Sequence, residues 1–355
     1  MNTTKTTAEQ EYKRVQTMLS GLTGNLPIML MSAENIGKFA EMVISNSLMA
    51  ETVNELRDRL RSIKVAEDYL QMSQAYEAYA EANVCFELAR RDVRLERTPG
   101  TGEDKKKRPD FTYRHGSGNI YFEVKALEIV GPLTRHKEMA DGALEAAADL
   151  DARARSKPGV HFSETEFSGF KHSTSASERI DIVIERINNT VKTAQLRYGP
   201  TVLMIDLGRL PVIPFGPSAL LPVFFHDGPP AESCVSGELW HIALGNPGER
   251  IFRLPKFDGR SNLDGHLKKR GILHDHPGLV AISFVFPSWS GPAEILTIWN
   301  VTSEQSALQN KLTLEEHEVD ELLAKFSDGL NDDRNERGWE YRVSPLRPDP
   351  ADDEA

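Results

Sequence analysis

The stretch RPDFTYRHGSGNIYFEVKAL, residues 108–127, decides the fold, because it predicts two short β-strands joined by a tight turn. PDFTYR and NIYFEVKA have the alternation and the aromatic content typical of strands, and HGSG has the glycines of a turn. Successive side chains of a strand point to opposite faces. The second strand therefore has an apolar face that begins at Ile120 and a face that carries Glu123 and Lys125. Charged side chains thus cluster where an ordinary half-buried strand avoids them.

This cluster predicts a metal site. Asp110 begins the first strand and Glu123 lies in the second, so the turn brings both carboxylates to one face of the sheet. Two such acids suit a hard divalent cation such as Mg²⁺, with Mn²⁺ as an alternative. Lys125 points the same way and can orient a metal-bound water or help to deprotonate it. A metal lowers the pKa of that water and offsets the charge of a phosphate in transfer, so the pattern favours phosphodiester chemistry.

The residues RPDF, a hairpin and FEVK resemble the PD-(D/E)XK nucleases, the restriction-endonuclease-like superfamily that includes Holliday junction resolvases. The resemblance covers residues 76–207, approximately. It implies an α/β fold with an αβββαβ core around a mixed sheet, in which Asp110, Glu123 and Lys125 are the catalytic set. The metal ligands would be the two acids and the backbone carbonyl of Val124.

The same resemblance implies a glutamate on the first core helix that helps to hold metal and water. The segment YAEANVCFELARRDVRLER offers Glu81 and Glu87. Glu81 lies twelve residues before Val93, where the first strand is expected, a spacing typical of resolvase-like members. It also shares a helix face with Cys85 and Leu88, the stripe expected to pack on the sheet, and a carboxylate there needs a partner. We therefore expect Glu81 in the site and consider Glu87 the weaker candidate.

The second core helix in many relatives presents a lysine or glutamine to the site. Here TVKTAQL supplies Gln195, with Lys192 close by. A glutamine at this position can hydrogen-bond a phosphate or a water. The alternative is an ordinary solvated side chain near a helix end.

A basic run directly precedes the Asp110 strand, in a protein whose net charge is -11. This negative net charge argues against a surface that is positive everywhere and would attract a polyanion at any point. The run can still contact a phosphate backbone beside the metal without reading sequence. The alternative is a solvated loop. The residues of this run are Lys105, Lys106, Lys107 and Arg108.

Periodicity along the chain predicts the order of the core. A helical crossover should place the last core strand parallel to a neighbour, which makes the sheet mixed. The predicted elements are helices over most of 7–91, strands at 93–98, 109–114 and 119–126, helices at 136–156 and 175–198, and a strand at 201–207. This order agrees with the core that the resemblance implies.

The rest of the chain predicts accessory elements. The expected elements are strands at 222–225, 239–244 and 250–254, two strands at 278–286 and 293–300 that extend the same sheet, and a helix at 313–330 begun by Thr313. The expected domains are a helical region at 1–75, the nuclease-like core at 76–208, an accessory region packed on it at 209–343, and a disordered acidic tail at 344–355. The flanking regions would supply target recognition or self-association.

Composition narrows the class of protein. The two cysteines, Cys85 and Cys234, lie far apart and suggest neither a disulfide framework nor a zinc cluster. No stretch approaches the roughly 18 apolar residues that cross a bilayer, and the N-terminus lacks the pattern of a signal peptide. These features favour a cytoplasmic protein without membrane contact.

The sequence therefore predicts a Mg²⁺-dependent nuclease, an endonuclease with DNA as the expected polymer and RNA as an alternative. A homodimer is expected because many such nucleases cut both strands of a duplex. The tripeptide E-x-K alone is common on half-buried strands, so the prediction depends on the whole set of residues. The alternative from another class is a catalytically inactive module of the same fold that binds nucleic acid or protein.

Overall fold

Strand β3, Gly118–Ala126, lies between one antiparallel and one parallel neighbour in a mixed sheet. The computed structural model describes residues 6–20, 27–45, 47–99, 108–115, 118–162, 170, 174–210, 238–249, 265–288, 291–300 and 316–332. Within these residues the protein is α/β.

The sheet of the described residues has seven strands, hydrogen-bonded in chain order. They are β1 Glu96–Arg97, β2 Phe111–His115, β3, β4 Thr201–Asp206, β5 Leu279–Phe286, β6 Glu294–Trp299 and β7 Gly329–Asp332. The pairs β3 with β4, β4 with β5, and β6 with β7 are parallel, and the other pairs are antiparallel. The carboxyl ends of β3, β4 and β5 therefore meet at one edge.

Helices pack on both faces of this sheet. They are α1 Ala8–Met18, α2 Ala33–Ser45, α3 Ala50–Ser62, α4 Tyr69–Arg90, α5 Pro132–Ser156, α6 Ala176–Thr190, α7 Glu238–Leu244, α8 Ile272–Asp275 and α9 Glu316–Phe326. Capping boxes at Thr7 and Ser175 satisfy free backbone N–H groups at the starts of α1 and α6.

Alternate residues of β4 belong to two separate cores. Val202 packs with Phe122 of β3 and Tyr79 of α4 in the core formed with α1–α4 and α9. Leu203 packs with Ile184 of α6 in the core formed with α6, α7 and α8. Because β4 is buried on both faces, its sequence TVLMID is nearly continuous in apolar residues. The N-terminal helices thus share a core with the sheet, and the predicted domain boundary at residue 75 falls within α4.

A buried guanidinium connects α4 to the ends of β3 and β4. Arg209 Nη1 donates to Ser73 Oγ at 2.7 Å and to Glu128 Oε2 at 2.9 Å, and the guanidinium lies 4.8 Å from the centre of the Tyr76 ring. Tyr76 in turn donates to Asp206 Oδ1 at 3.0 Å. Burial raises the pKa of Asp206 to about 6. These contacts fix α4, the helix that carries Glu81, relative to the central strands.

The strand predictions around the opening stretch are confirmed. β2 and β3 form the antiparallel pair, and β4 returns parallel to β3 as the crossover rule requires. β5 and β6 extend the same sheet as predicted from 278–286 and 293–300. The first core strand, predicted at 93–98, is shorter and spans Glu96–Arg97.

The prediction of a strand at 239–244 is wrong, because LWHIAL lies in helix α7. All six of these residues are buried, and a run that is apolar on every side carries no period that separates helix from strand. The helix predicted to reach residue 198 ends at Thr190, and Gln195–Arg197 form a short 3₁₀ turn. The helix predicted to reach residue 330 ends at Phe326, and Gly329–Asp332 form strand β7 instead.

Some predictions lie outside the described residues: the strands at 222–225 and 250–254, the helix start at Thr313, Cys234, and the tail at 344–355. Cys85 is a free, buried thiol. None of the helices that the structure describes is long and apolar enough to cross a membrane.

Arg91 is the centre of a buried ion-pair group that joins the end of α4 to the residues directly before β6 and β7. Its guanidinium contacts Glu87 Oε2 at 2.9 Å and Asp328 Oδ2 at 3.1 Å, and it donates to the Ala293 carbonyl at 2.9 Å. Arg90 contacts the same Glu87 at 3.4 Å, with a side chain that is 41% exposed.

We expect Arg91→Met to lower the free energy of unfolding by about 3–5 kcal/mol, because Glu87 and Asp328 then lose their buried counter-charge. The matched control Arg90→Met should change it by less than about 1 kcal/mol, since the Arg90 side chain is exposed to solvent and Glu87 keeps its contact with Arg91. Urea unfolding followed by circular dichroism measures both. Equal losses in the two variants would contradict the structure.

Candidate functional site

The register of β2 and β3 brings Asp110 next to Glu123. Phe111 pairs with Phe122, so the residue before one lies opposite the residue after the other. Asp110 Oδ2 accepts a hydrogen bond from the backbone N–H of Val124 at 2.8 Å. The carboxylate is therefore fixed against the middle of β3.

Lys125 places its ammonium between these two acids. Nζ donates to Glu123 Oε1 and lies 3.9 Å from Asp110 Oδ2. Glu123 has a side chain that is 2% exposed, whereas Lys125 is 24% exposed. The structure thus brings together the three residues of the predicted catalytic set, with the ammonium reaching toward solvent.

Gln195 is part of the same cluster, although it lies in a 3₁₀ turn rather than in a helix. Its Nε2 donates to Glu123 Oε1 at 2.7 Å and to the Arg108 carbonyl at 3.1 Å. The residue is buried, so the alternative of a solvated glutamine is wrong. Gln195 ties the segment before β2 to the carboxylate of β3.

Glu123 has one oxygen with two donors and one with none. Oε1 accepts from Lys125 and Gln195, while Oε2 is buried without a hydrogen-bond partner among the described residues. Leaving a buried carboxylate oxygen without a donor is unfavourable. This oxygen is available to a further positively charged group.

Glu81 lies beside the cluster and is held by an arginine. Its Oε2 contacts Arg97 Nη2 at 2.6 Å, and the same nitrogen contacts Glu55 Oε2 at 2.9 Å. The Arg97 guanidinium lies 4.6 Å from the centre of the ring of Phe111, the first residue of β2 and the neighbour of Asp110 in the chain. Glu87, the weaker sequence candidate, belongs to the Arg91 group instead.

Arg97 was not predicted as a site residue. Its sequence signal is weak, because an Arg in the short segment VRLER looks like any exposed charge on an edge strand. The signal that could have found it is the buried Glu81, which requires a cation within reach.

Burial and mutual repulsion act on the protonation of the acids. Burial, and then the charge of Asp110, raise the pKa of Glu123 to about 7, although Lys125 and Gln195 oppose this. The same two causes raise the pKa of Glu81 to about 8, with Arg97 opposing. Burial disfavours the charged form of Lys125, but Asp110 and Glu123 outweigh it and its pKa is raised. Both carboxyl groups therefore have pKa values near neutral pH, mainly because they are buried.

The oxygen atoms at the cluster suit a hard divalent cation. Asp110 and Glu123 supply two carboxylates, and Glu123 Oε2 is buried without a hydrogen-bond donor among the described residues. Val124, whose carbonyl is predicted as a further ligand, contacts Asp110 through its backbone N–H. Glu81, predicted as a further ligand, contacts Arg97 in this arrangement. Across the described part of the chain, no group of three or more His, Cys, Asp and Glu side chains is arranged to hold a metal ion. Asp110 and Glu123 are thus the two candidate oxygen ligands at this site.

The basic run is described only at its last residue. The carbonyl of Arg108 accepts from Gln195, while Lys105, Lys106 and Lys107 lie outside the described residues. Their contact with phosphate stays a prediction.

Comparisons of the chain with protein-family models, with curated proteins and with solved structures give no match.

Two substitutions should shift the pKa of Glu123 in opposite directions. Asp110→Asn removes the neighbouring negative charge, so the pKa should fall from about 7 toward the usual value for glutamate. Gln195→Met removes a hydrogen bond to the carboxylate, so the pKa should rise. Carbon-13 NMR titration of labelled glutamate side chains measures both, with Glu123→Gln assigning the resonance. A pKa that stays the same in both variants would contradict this electrostatic description.

Proposed function

We propose that this protein is a metal-dependent nuclease that hydrolyses phosphodiester bonds, with a PD-(D/E)XK site formed by Asp110, Glu123 and Lys125. The observation that carries the proposal is the convergence of two carboxylates and one ammonium on adjacent strands. A simple ion pair needs one acid for one base, whereas here burial, and then the charge of the second acid Asp110, raise the pKa of Glu123. Perturbed acids clustered in this way are typical of functional sites.

The fold supports the same proposal. The order of α4, β1, β2, β3, α6 and β4 is compatible with the αβββαβ core, with α5 as one additional helix between β3 and α6. β3 carries E-x-K beside the parallel strand β4, with Glu123 opposite Leu203 and Lys125 opposite Ile205. We infer a restriction-endonuclease-like core from this order together with the motif.

The carboxylates of Asp110 and Glu123 and the carbonyl of Val124 would hold Mg²⁺ or Mn²⁺. Such an ion supplies a bound water of lowered pKa and positive charge next to the phosphate. Gln195 would hold the Glu123 carboxylate in place by donating to Oε1. Arg97 holds Glu81 beside Asp110, from where Glu81 would orient water.

Lys125 has the position of the group that orients the attacking water. Its ammonium is donor-only and reaches both acids and the partly exposed surface of the cluster. A charge so placed also attracts the anionic phosphate. Its raised pKa keeps it protonated at neutral pH, so it would act by donating hydrogen bonds rather than as a base.

The proposed substrate is nucleic acid, with DNA as the expected polymer. The basic run from Lys105 to Arg108 precedes β2 and would contact the phosphate backbone. Because the net charge of the chain is -11, such local contacts would dominate attraction, and binding should weaken steeply with salt.

A second candidate is a binding module of the same fold without catalysis. One observation favours it: Lys125 and Gln195 already satisfy Glu123 Oε1, and no group of three metal-binding side chains is found among the residues described. A module of this kind would bind nucleic acid or protein without consuming it.

Digestion of DNA and RNA by the full-length chain tests the proposal. Wild-type protein with Mg²⁺ or Mn²⁺ should cleave plasmid or oligonucleotides, and Lys125→Met should reduce the rate at least about 100-fold, the usual contribution of a group acting on the attacking water. The control Lys13→Met should leave the rate unchanged, since Lys13 is an exposed residue of α1 paired with Glu9.

Equal cleavage by wild type and Lys125→Met would reject the assigned site. No cleavage of any polymer by wild-type protein, together with retained binding to one of them, would favour the binding module.

A further inference from the structure

Two tyrosines form an aromatic pair on the surface next to the acidic cluster. Tyr198 follows the turn Gln195–Arg197, and 39% of its surface is exposed. Its ring meets the ring of Tyr121 edge-on, with centroids 5.8 Å apart and an interplanar angle of 69°. An exposed tyrosine supported from the side by a second ring has a fixed orientation.

This pair has a fixed position relative to the site. Tyr121 precedes Glu123 by two residues on β3, so both point to the same face of the sheet, about 7 Å apart along the strand. The backbone N–H of Tyr121 donates to the Pro200 carbonyl at 2.8 Å. Tyr198 donates through its own N–H to the carbonyl of Gln195, whose side chain holds Glu123. One short turn thus positions both the glutamine at the carboxylate and the exposed ring.

The connection that carries Tyr198 also carries exposed cations. Lys192 and Arg197 lie on the same connection between α6 and β4, and both side chains are exposed. Gln195 also binds the Arg108 carbonyl, which brings the end of the basic run to this turn. An aromatic ring among cations is the combination that binds single-stranded nucleic acid, because bases stack on the ring while cations follow the backbone.

We propose that Tyr198, supported by Tyr121, stacks on an unpaired base of a nucleic acid strand that runs past Asp110 and Glu123. In a duplex the faces of the bases are covered by their neighbours, so stacking on a protein ring requires a base that is unpaired or turned out. The preferred substrate class is therefore nucleic acid with a single-stranded segment. This inference rests on the proposed function.

Binding in EDTA tests the inference without any cleavage. Fluorescence anisotropy of a labelled oligonucleotide is measured for the full chain, once with the single strand and once with the same sequence as a duplex. Tyr198→Ala should weaken binding of the single strand about tenfold, within the range for loss of one stacked base, and change duplex binding less than twofold. Tyr198→Phe keeps the ring and should bind as wild type.

The inference is overturned if wild-type protein does not bind the single strand, if Tyr198→Ala binds it as well as wild type, or if the variant loses single strand and duplex equally. Circular dichroism melting of both variants shows whether a loss of binding is caused by unfolding. If Tyr198→Ala is unfolded, the test depends on Tyr198→Phe, and weakened single-strand binding by that variant would also reject stacking. These outcomes are independent of cleavage, so the proposed nuclease activity can fail while the binding surface is supported, or the reverse.

Discussion

Asp110 and Glu123 repel each other inside a buried strand pair, and the surrounding residues must supply positive charge and donors to keep both acids there. Lys125 supplies the charge, while the Val124 N–H and Gln195 supply donors. The compensation is incomplete, since the pKa of Glu123 remains raised to about 7. Because the carboxylates are only partly stabilised, the site is suited to bind a cation and, through that cation, a phosphate.

The fold provides this arrangement through elements distant along the chain. One edge of β3 pairs with the antiparallel strand β2, which Asp110 directly precedes. The other edge of β3 pairs with the parallel strand β4. α4 brings Glu81 to the same region, and Arg91 and Arg209 fix that helix at two points along its length. The turn before β4 adds Gln195. Each contribution depends on the mixed sheet, because only a crossover places β4 and its preceding turn beside β3.

The sequence predicted the parts of the site that follow from local periodicity. Alternation in β3 placed Glu123 and Lys125 on one face, and the HGSG turn placed Asp110 opposite them. The sequence prediction failed for α7, because a segment that is buried on all sides has no hydrophobic periodicity. It also missed contacts between residues distant in the chain, such as that of Arg97 with Glu55. Gln195 was predicted on a helix, yet the helix ends at Thr190, and the position of the residue is fixed by its bond to Glu123. Local patterns carry no information on such pairings.

The central claim is that Asp110, directly before β2, and Glu123 of β3 share one divalent cation. Calorimetric titration of the full-length protein with Mn²⁺ tests it most directly, with Asp110→Asn and Glu123→Gln as site variants and Asp58→Asn, an exposed residue of α3, as the matched control. The account predicts one ion bound per chain by wild type and by the control, and at least about tenfold weaker binding in each site variant. Absence of Mn²⁺ binding in wild type, or binding unchanged in both site variants, would contradict it.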